Sequence, residues 1–199
     1  MVMSIPYETT GRTSQKVRTR EALVAAAREL LASGQTPRVE DAAARASISR
    51  TTAYRYFPNQ RNLLVATFPE IAAESLLPEP APEDPMTRLD AVAEALANQV
   101  LEHEPELRAQ LRISLESRDQ DPASLPFRKG RAIGWISEAL APLEGRLSKR
   151  ELRRLALAIR CVVGIEALVW LTDVAGLSRE EAARQMRWSA RALLQAELA

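Results

Sequence analysis

Apolar residues recur along this chain at spacings of three and four, and nowhere do they alternate with polar ones over the length of a strand. Leu23, Ala26, Ala27, Leu30 and Leu31 lie on one helical face, and Ser33-Gly34 supplies the stop. Val39–Ala46 and Arg50–Phe57 read as two short helices joined by a tight turn, with Ser49 as the natural cap of the second. Pro58-Asn59 makes another turn, and a fourth helix runs from Gln60 through Leu63, Leu64 and Phe68. Pro69 falls inside that pattern, where it removes a backbone hydrogen bond and should kink or divide the helix.

Four prolines between Pro78 and Pro85 mark a linker or rigid loop. Beyond it, Met86–Glu102 carries Leu89, Val92, Ala93, Leu96 and Val100 on one face, and Pro105–Ser117 opens with proline in its first turn. Arg118–Pro126 is a polar loop. Phe127–Leu143 is helical with Trp135 and Leu140 inward. Ser148 caps a long helix to about Ala175, ended by Gly176, and Ser178 caps a last helix to about Leu198. The expectation is an all-α protein: a disordered tail over 1–11, a helix-turn-helix domain over 12–64 and a helical body over 65–199.

Charge sharpens that division. The 199 residues carry a net +1, yet residues 1–64 hold ten Lys/Arg against five Asp/Glu, while the remainder is net negative. Residues 12–20 contribute Arg12, Lys16, Arg18 and Arg20 with no acid, as suits an arm lying along phosphates or entering a minor groove. A basic head on a mildly acidic body fits nucleic-acid binding by the head. One cysteine, Cys161, excludes an internal disulfide framework, and it reads as a small buried apolar residue. The start of the chain lacks a signal-like apolar stretch, and the longest apolar run falls short of 18 residues, so the expected setting is the cytoplasm with no membrane contact. A single histidine, His103, and the lack of a metal-ligand cluster or glycine-rich phosphate loop point away from an enzyme, and no cofactor is expected.

The chemistry concentrates in residues 49–57, SRTTAYRYF. Ala53 and Phe57 share one face, assigned to packing. Arg50 and Tyr54 share another, with Thr51 and Arg55 alongside, leaving these four for a groove of double-stranded DNA. Arg50 near the helix start can take guanine O6 and N7. Thr51 and Tyr54 can touch thymine methyls or bases, and Thr52, Arg55 and Tyr56 suit phosphates.

Residues 20–64 resemble the N-terminal domain of TetR-family transcriptional regulators, whose second and third helices read roughly (I/V)A-x-x-A-G-V-S-x-x-T-(L/V)-Y-x-(Y/H)-F. The agreement lies at Ala43, Ala46, Ser49, Thr52, Tyr54, Tyr56, Phe57, Asn59 and Leu63. The chain departs at Ser47, where the family has a turn glycine, and at Ala42 and Ala53, which replace larger aliphatics. Gln60 stands where a phosphate-binding lysine is usual, with Arg61 beside it to share the task. Arg38 takes the place of a Thr or Ser cap and gains a phosphate contact of its own. With Arg18 and Ser49, these complete the expected DNA-binding set.

The resemblance implies a one-component, ligand-responsive regulator, most often a repressor, that reads a palindromic operator as a homodimer. Its dimer would form through the last two helices. Helix 148–175 is apolar on most sides (Leu152, Leu155, Ile159, Val162, Val163, Leu168, Val169, Leu171), and Ala182, Ala183, Met186, Ala190, Leu193 and Leu194 give the last helix a stripe. It also implies a pocket for a small-molecule effector in the body. Leu111, Leu115, Phe127, Trp135 and Trp170 are candidate apolar lining, Arg112 or Arg160 can meet an acidic group, and Glu166 must pair or face a cavity or interface. Ligand would reorient the helix around 60–76, with Pro69 localising the bend. The alternative is an all-α protein-interaction module whose helix-turn-helix no longer binds DNA.

Overall fold

The computed structural model describes residues 7–67, 73–116 and 131–199, and the side chains of all of these except 7–13 and 116. The described residues form helices without a strand, and the chain divides into two compact units, residues 1–69 and 70–199.

The head is built on α1 (Tyr7–Ala32), α2 (Val39–Arg45), α3 (Arg50–Tyr56) and α4 (Gln60–Thr67). Leu23, Val24, Ala26, Ala27 and Leu31 of α1 are buried, and α1 packs on α2 and α4. Ala42 and Ala53 are wholly buried where α2 meets α3. These small side chains let the two helices approach closely. Phe57 closes the core at 3% exposure, and the Arg20 guanidinium lies 5.6 Å from its ring centroid, a cation–π contact between α1 and the end of α3.

Two turns in the head are the same motif with different residues. After α1, Gln35 N–H donates to Leu30 O and Gly34 N–H to Leu31 O, with Gly34 left-handed at φ 81°. After α2, Ile48 N–H donates to Ala43 O and Ser47 N–H to Ala44 O, with Ser47 at φ 56°. Both satisfy orphan helix carbonyls through a left-handed residue. The second does so with a serine, at the position where the family pattern has a turn glycine.

The N-terminal expectation needs correcting. Tyr7–Gly11 belong to α1 rather than to a disordered tail, and residues 12–20 continue the same helix. Between residues 12 and 32 there is no glycine or proline to interrupt the ladder, and Thr19 Oγ1 donates back to Gln15 O at 2.9 Å. Residues 1–6 lie outside the described residues, as do Phe68 and Pro69, and with them the expected kink.

The body begins with irregular chain at 73–84, and Asp84 caps α5 (Pro85–Glu102) by accepting from Thr87 N–H at 2.8 Å. It continues through α6 (Glu104–Glu116), α7 (Arg131–Leu140), α8 (Lys149–Val162), α9 (Ile165–Val169) and α10 (Arg179–Leu198). Helices α5, α7, α8 and α10 pack as a closed ring of neighbours around one core, and α6 lies on α9. Leu89, Val92, Ile136, Leu140, Ile159, Leu168, Met186 and Leu194 fill the body core with essentially no exposure. Each such side chain is worth about 1.5–3 kcal/mol of burial.

The long helix expected over 148–175 is broken. α8 ends at Val162, Val163 and Gly164 are extended, and after α9 a wide turn of helix covers Trp170–Val174. The cause is local. Arg160 folds over Gly164 to Glu166 Oε2 at 3.3 Å and to Val163 O at 3.3 Å, and a Cβ on residue 164 would collide with that guanidinium. By length and mean hydropathy (1.9), Lys149–Val174 is long and apolar enough to cross a membrane. The helix is interrupted at 163–164, and its Leu155, Ile159, Val163 and Leu168 are buried in the body core.

Candidate nucleic-acid interface

Ser49 opens α3 by accepting from Thr52 N–H at 3.2 Å, and its hydroxyl donates to Thr52 Oγ1 at 2.9 Å. This cap fixes the start of the helix. Ala53 and Phe57 then point into the head core, so Arg50, Thr51, Tyr54 and Arg55 are left on the exposed side. The sequence-based division of faces is the one the structure has. Thr52 is half-buried, with its hydroxyl engaged by the cap, and Tyr56 is half-buried against the head core.

Sequence reasoning missed Glu40. Its carboxylate, in the first turn of α2, accepts the Tyr54 hydroxyl at 2.7 Å and stands 3.9 Å from an Arg50 guanidinium nitrogen. Tyr54's hydrogen bond holds the Glu40 carboxyl below its ordinary range, and the same bond pushes the Tyr54 phenol up. Residues 40 and 54 are fourteen apart, so helix spacing gives no hint of the pair; only the angle of the turn at Ser47 brings them together.

Around this row the other expected residues divide. Arg38 is exposed at the start of α2, where its backbone N–H donates to Asp41 Oδ2 at 2.7 Å while the side chain extends outward. Arg18 is exposed on α1, reaching Ser14 Oγ at 3.3 Å. Arg61 is half-buried on α4. Gln60 does not face outward as a phosphate ligand: its amide donates to Pro37 O at 3.0 Å, tying the start of α4 to the α1–α2 connection. Asn59 caps α4, accepting from Asn62 N–H at 2.9 Å.

In the body the expected ligand contacts fare unevenly. Trp135 is buried, its indole N–H donating to Glu74 O at 3.1 Å, and Leu111 is half-buried against the core. Leu115 at 71% and Trp170 at 59% exposure do not line an enclosed space, because α6 and the turn at 170–174 present them outward. Arg112 is also exposed, and Phe127 lies outside the described residues. Arg160 and Glu166 satisfy one another across Gly164. Cys161 is exposed on α8, not buried. Gln110, which no pattern in the sequence singles out, is 8% exposed on α6 with a side-chain nitrogen that has no hydrogen-bond partner among the described residues.

Part of the stripe assigned to dimerisation packs inside the chain, while its Ala183 and Leu193 stay half-buried. Ala182, Met186, Ala190 and Leu194 of α10 are fully buried within the chain, against α5 and α8. What α10 turns outward is Trp188, 58% exposed, in an open groove lined by Leu177, Arg184 and Arg191; Leu157 of α8 is 40% exposed.

No protein-family model matches the chain, and no curated protein sequence matches it. Among solved structures, a crystal structure described as a TetR transcriptional regulator from Rhodococcus sp. RHA1 is similar at a TM-score of 0.50 and 19% identity, over 92% of this chain and 97% of that one. With a helix-turn-helix head followed by a helical body, the chain has the TetR-regulator fold.

Proposed function

We propose that the chain is a DNA-binding transcriptional regulator whose head reads one half-site of an inverted repeat. The observation that carries this reading is the exposed row Arg50, Thr51, Tyr54 and Arg55 on a capped helix backed by a buried core. A helix-turn-helix lays its second helix in the major groove while the first crosses the backbone. Arg50, at the first position of α3, reaches guanine O6 and N7 in a bidentate pair, worth about 1–3 kcal/mol of discrimination. Thr51 and Tyr54 meet bases or thymine methyls. Arg55, and Arg38 at the start of α2, meet phosphates.

A second copy of the chain supplies the other half-site. With the apolar stripe of α10 used inside the chain, the dimer seam falls to the outward faces of the last helices, centred on Trp188 with Leu157 as the apolar contribution of α8. An exposed tryptophan framed by arginines is the kind of anchor that dominates interfaces. A small-molecule effector acts through the body, near α6, where Gln110 offers a buried donor and Leu111 apolar surface. Effector binding stronger in the DNA-free form releases the operator, by no more than that difference in affinity.

The test is enrichment of duplexes from a random-sequence pool by the purified chain. The expected product is an inverted repeat with half-site centres about 10–10.5 base pairs apart, bound by two chains. Trp188→Glu is expected to leave a monomer that binds the repeat weakly. A pool that enriches no sequence overturns the reading and favours a protein-interaction module.

A further inference from the structure

We infer that Glu40 is a specificity-determining residue of the α3 surface: an anionic latch that holds Tyr54 and Arg50 for base contact and keeps them from indiscriminate phosphate binding. The inference rests on the DNA-reading function proposed above and adds a role for a residue that touches no base in that reading. Its basis is geometric. One carboxylate, 29% exposed, faces both of the side chains best placed to meet bases, one through a 2.7 Å hydrogen bond and one at 3.9 Å.

The physical consequence is asymmetric between sequences. On an arbitrary duplex the favourable move for Arg50 is to swing onto a phosphate, and the phosphate-rich surface repels Glu40. On the matched sequence the Arg50 guanidinium can engage guanine with one edge and keep the other toward Glu40, while Tyr54 stays where the hydrogen bond put it. The carboxylate therefore weakens random binding more than matched binding. It raises the specificity ratio at the expense of raw affinity.

Three variants separate this from a structural role. Glu40→Gln keeps an acceptor for the Tyr54 hydroxyl and removes the charge. Glu40→Asp keeps the charge. Glu21→Gln removes the same charge from the exposed face of α1. The probes are a duplex enriched by the wild-type chain from a random pool and a scrambled duplex of equal length, titrated by fluorescence anisotropy across a salt series.

For Glu40→Gln the freed arginine adds close to one phosphate contact on scrambled duplex. The log–log salt slope is expected to steepen by about 0.9, and binding to tighten roughly eightfold near 0.1 M salt. The enriched duplex should gain less than half of that on a logarithmic scale, so the specificity ratio falls. Glu40→Asp should keep the wild-type slope, and all three variants should melt within a few degrees of wild type.

An unchanged slope for Glu40→Gln, or the same steepening for Glu21→Gln, overturns the role of Glu40 while leaving DNA reading intact. A wild-type chain that binds neither duplex overturns both.

Discussion

Glu104 offers the most quantitative check on how the body is held together. Its carboxylate, at the start of α6 and 8% exposed, accepts Arg108 Nε at 2.7 Å and Arg179 at 2.6 and 3.1 Å, joining α6 to the first turn of α10. Arg108 also grips Asp173 at 2.6 and 2.8 Å, which holds that carboxyl at about 2. Glu104→Ala removes the buried acceptor but does not strand a buried charge. Arg108 keeps Asp173, and Arg179, 61% exposed, turns to water. The loss is therefore below the 3–5 kcal/mol of a fully buried broken pair, about 2 kcal/mol. That corresponds to a melting-temperature drop of roughly 4–8 °C for a chain of this size.

Urea denaturation followed by tryptophan fluorescence reads the body selectively, because Trp135, Trp170 and Trp188 all lie there. The pH dependence gives a second check. Burial pushes the Glu104 carboxyl up from its ordinary 4.5, but the hydrogen bonds from Arg179 and Arg108 outweigh it, and the net direction is down. A carboxyl lowered in the folded state contributes its stability in full above the unfolded value and loses it as pH falls through the folded one. The gap between wild type and Glu104→Ala should thus be constant from pH 6 to 8 and narrow as pH falls below the ordinary 4.5. A loss under about 0.5 kcal/mol at pH 7, or a gap that persists unchanged to pH 3, refutes the reasoning.

Two further perturbations probe the head and the body. Ser47→Gly relieves a left-handed serine costing about 1–2 kcal/mol but adds about 0.5–1 kcal/mol of backbone entropy, so the net gain is roughly 0.5–1 kcal/mol. Amide exchange in α2 and α3, followed by mass spectrometry, should slow about two- to fivefold, and faster exchange would show that the serine side chain is needed there. Gln110→Met removes the buried nitrogen that lacks a partner among the described residues and should raise the body's urea midpoint by the equivalent of about 1 kcal/mol; a lowered midpoint would mean the amide is satisfied.

Most of the helices were legible because their ends are chemically marked. Ser49 caps α3, Asn59 caps α4, and Ser148 and Ser178 open α8 and α10 with reciprocal bonds to Glu151 and Glu181. The exposed row on α3 was legible because Ala53 and Phe57 define the buried side by helical spacing alone. What escaped depends on neighbours distant in sequence. Gln60 resembles a phosphate ligand by position, yet Pro37 O, twenty-three residues away, captures its amide. A glycine inside an apolar run looks like helix interior, and it took the Arg160–Glu166 strap to show that Gly164 ends one helix and begins another. Hydrophobicity placed Trp170 and Leu115 inside, whereas only packing decides which side of a helix faces the core. The same holds for α10, whose apolar stripe serves its own chain first.

On the proposed function, α3 reads base sequence. The direct measurement is competition between the enriched duplex and a scrambled duplex for the purified chain at about 0.15 M salt, with Arg50→Ala run alongside. The wild-type chain is expected to prefer the enriched duplex by at least about 10³-fold, a preference lowered by roughly ten- to a hundredfold in Arg50→Ala. Equal binding of the two duplexes by the wild-type chain would contradict it.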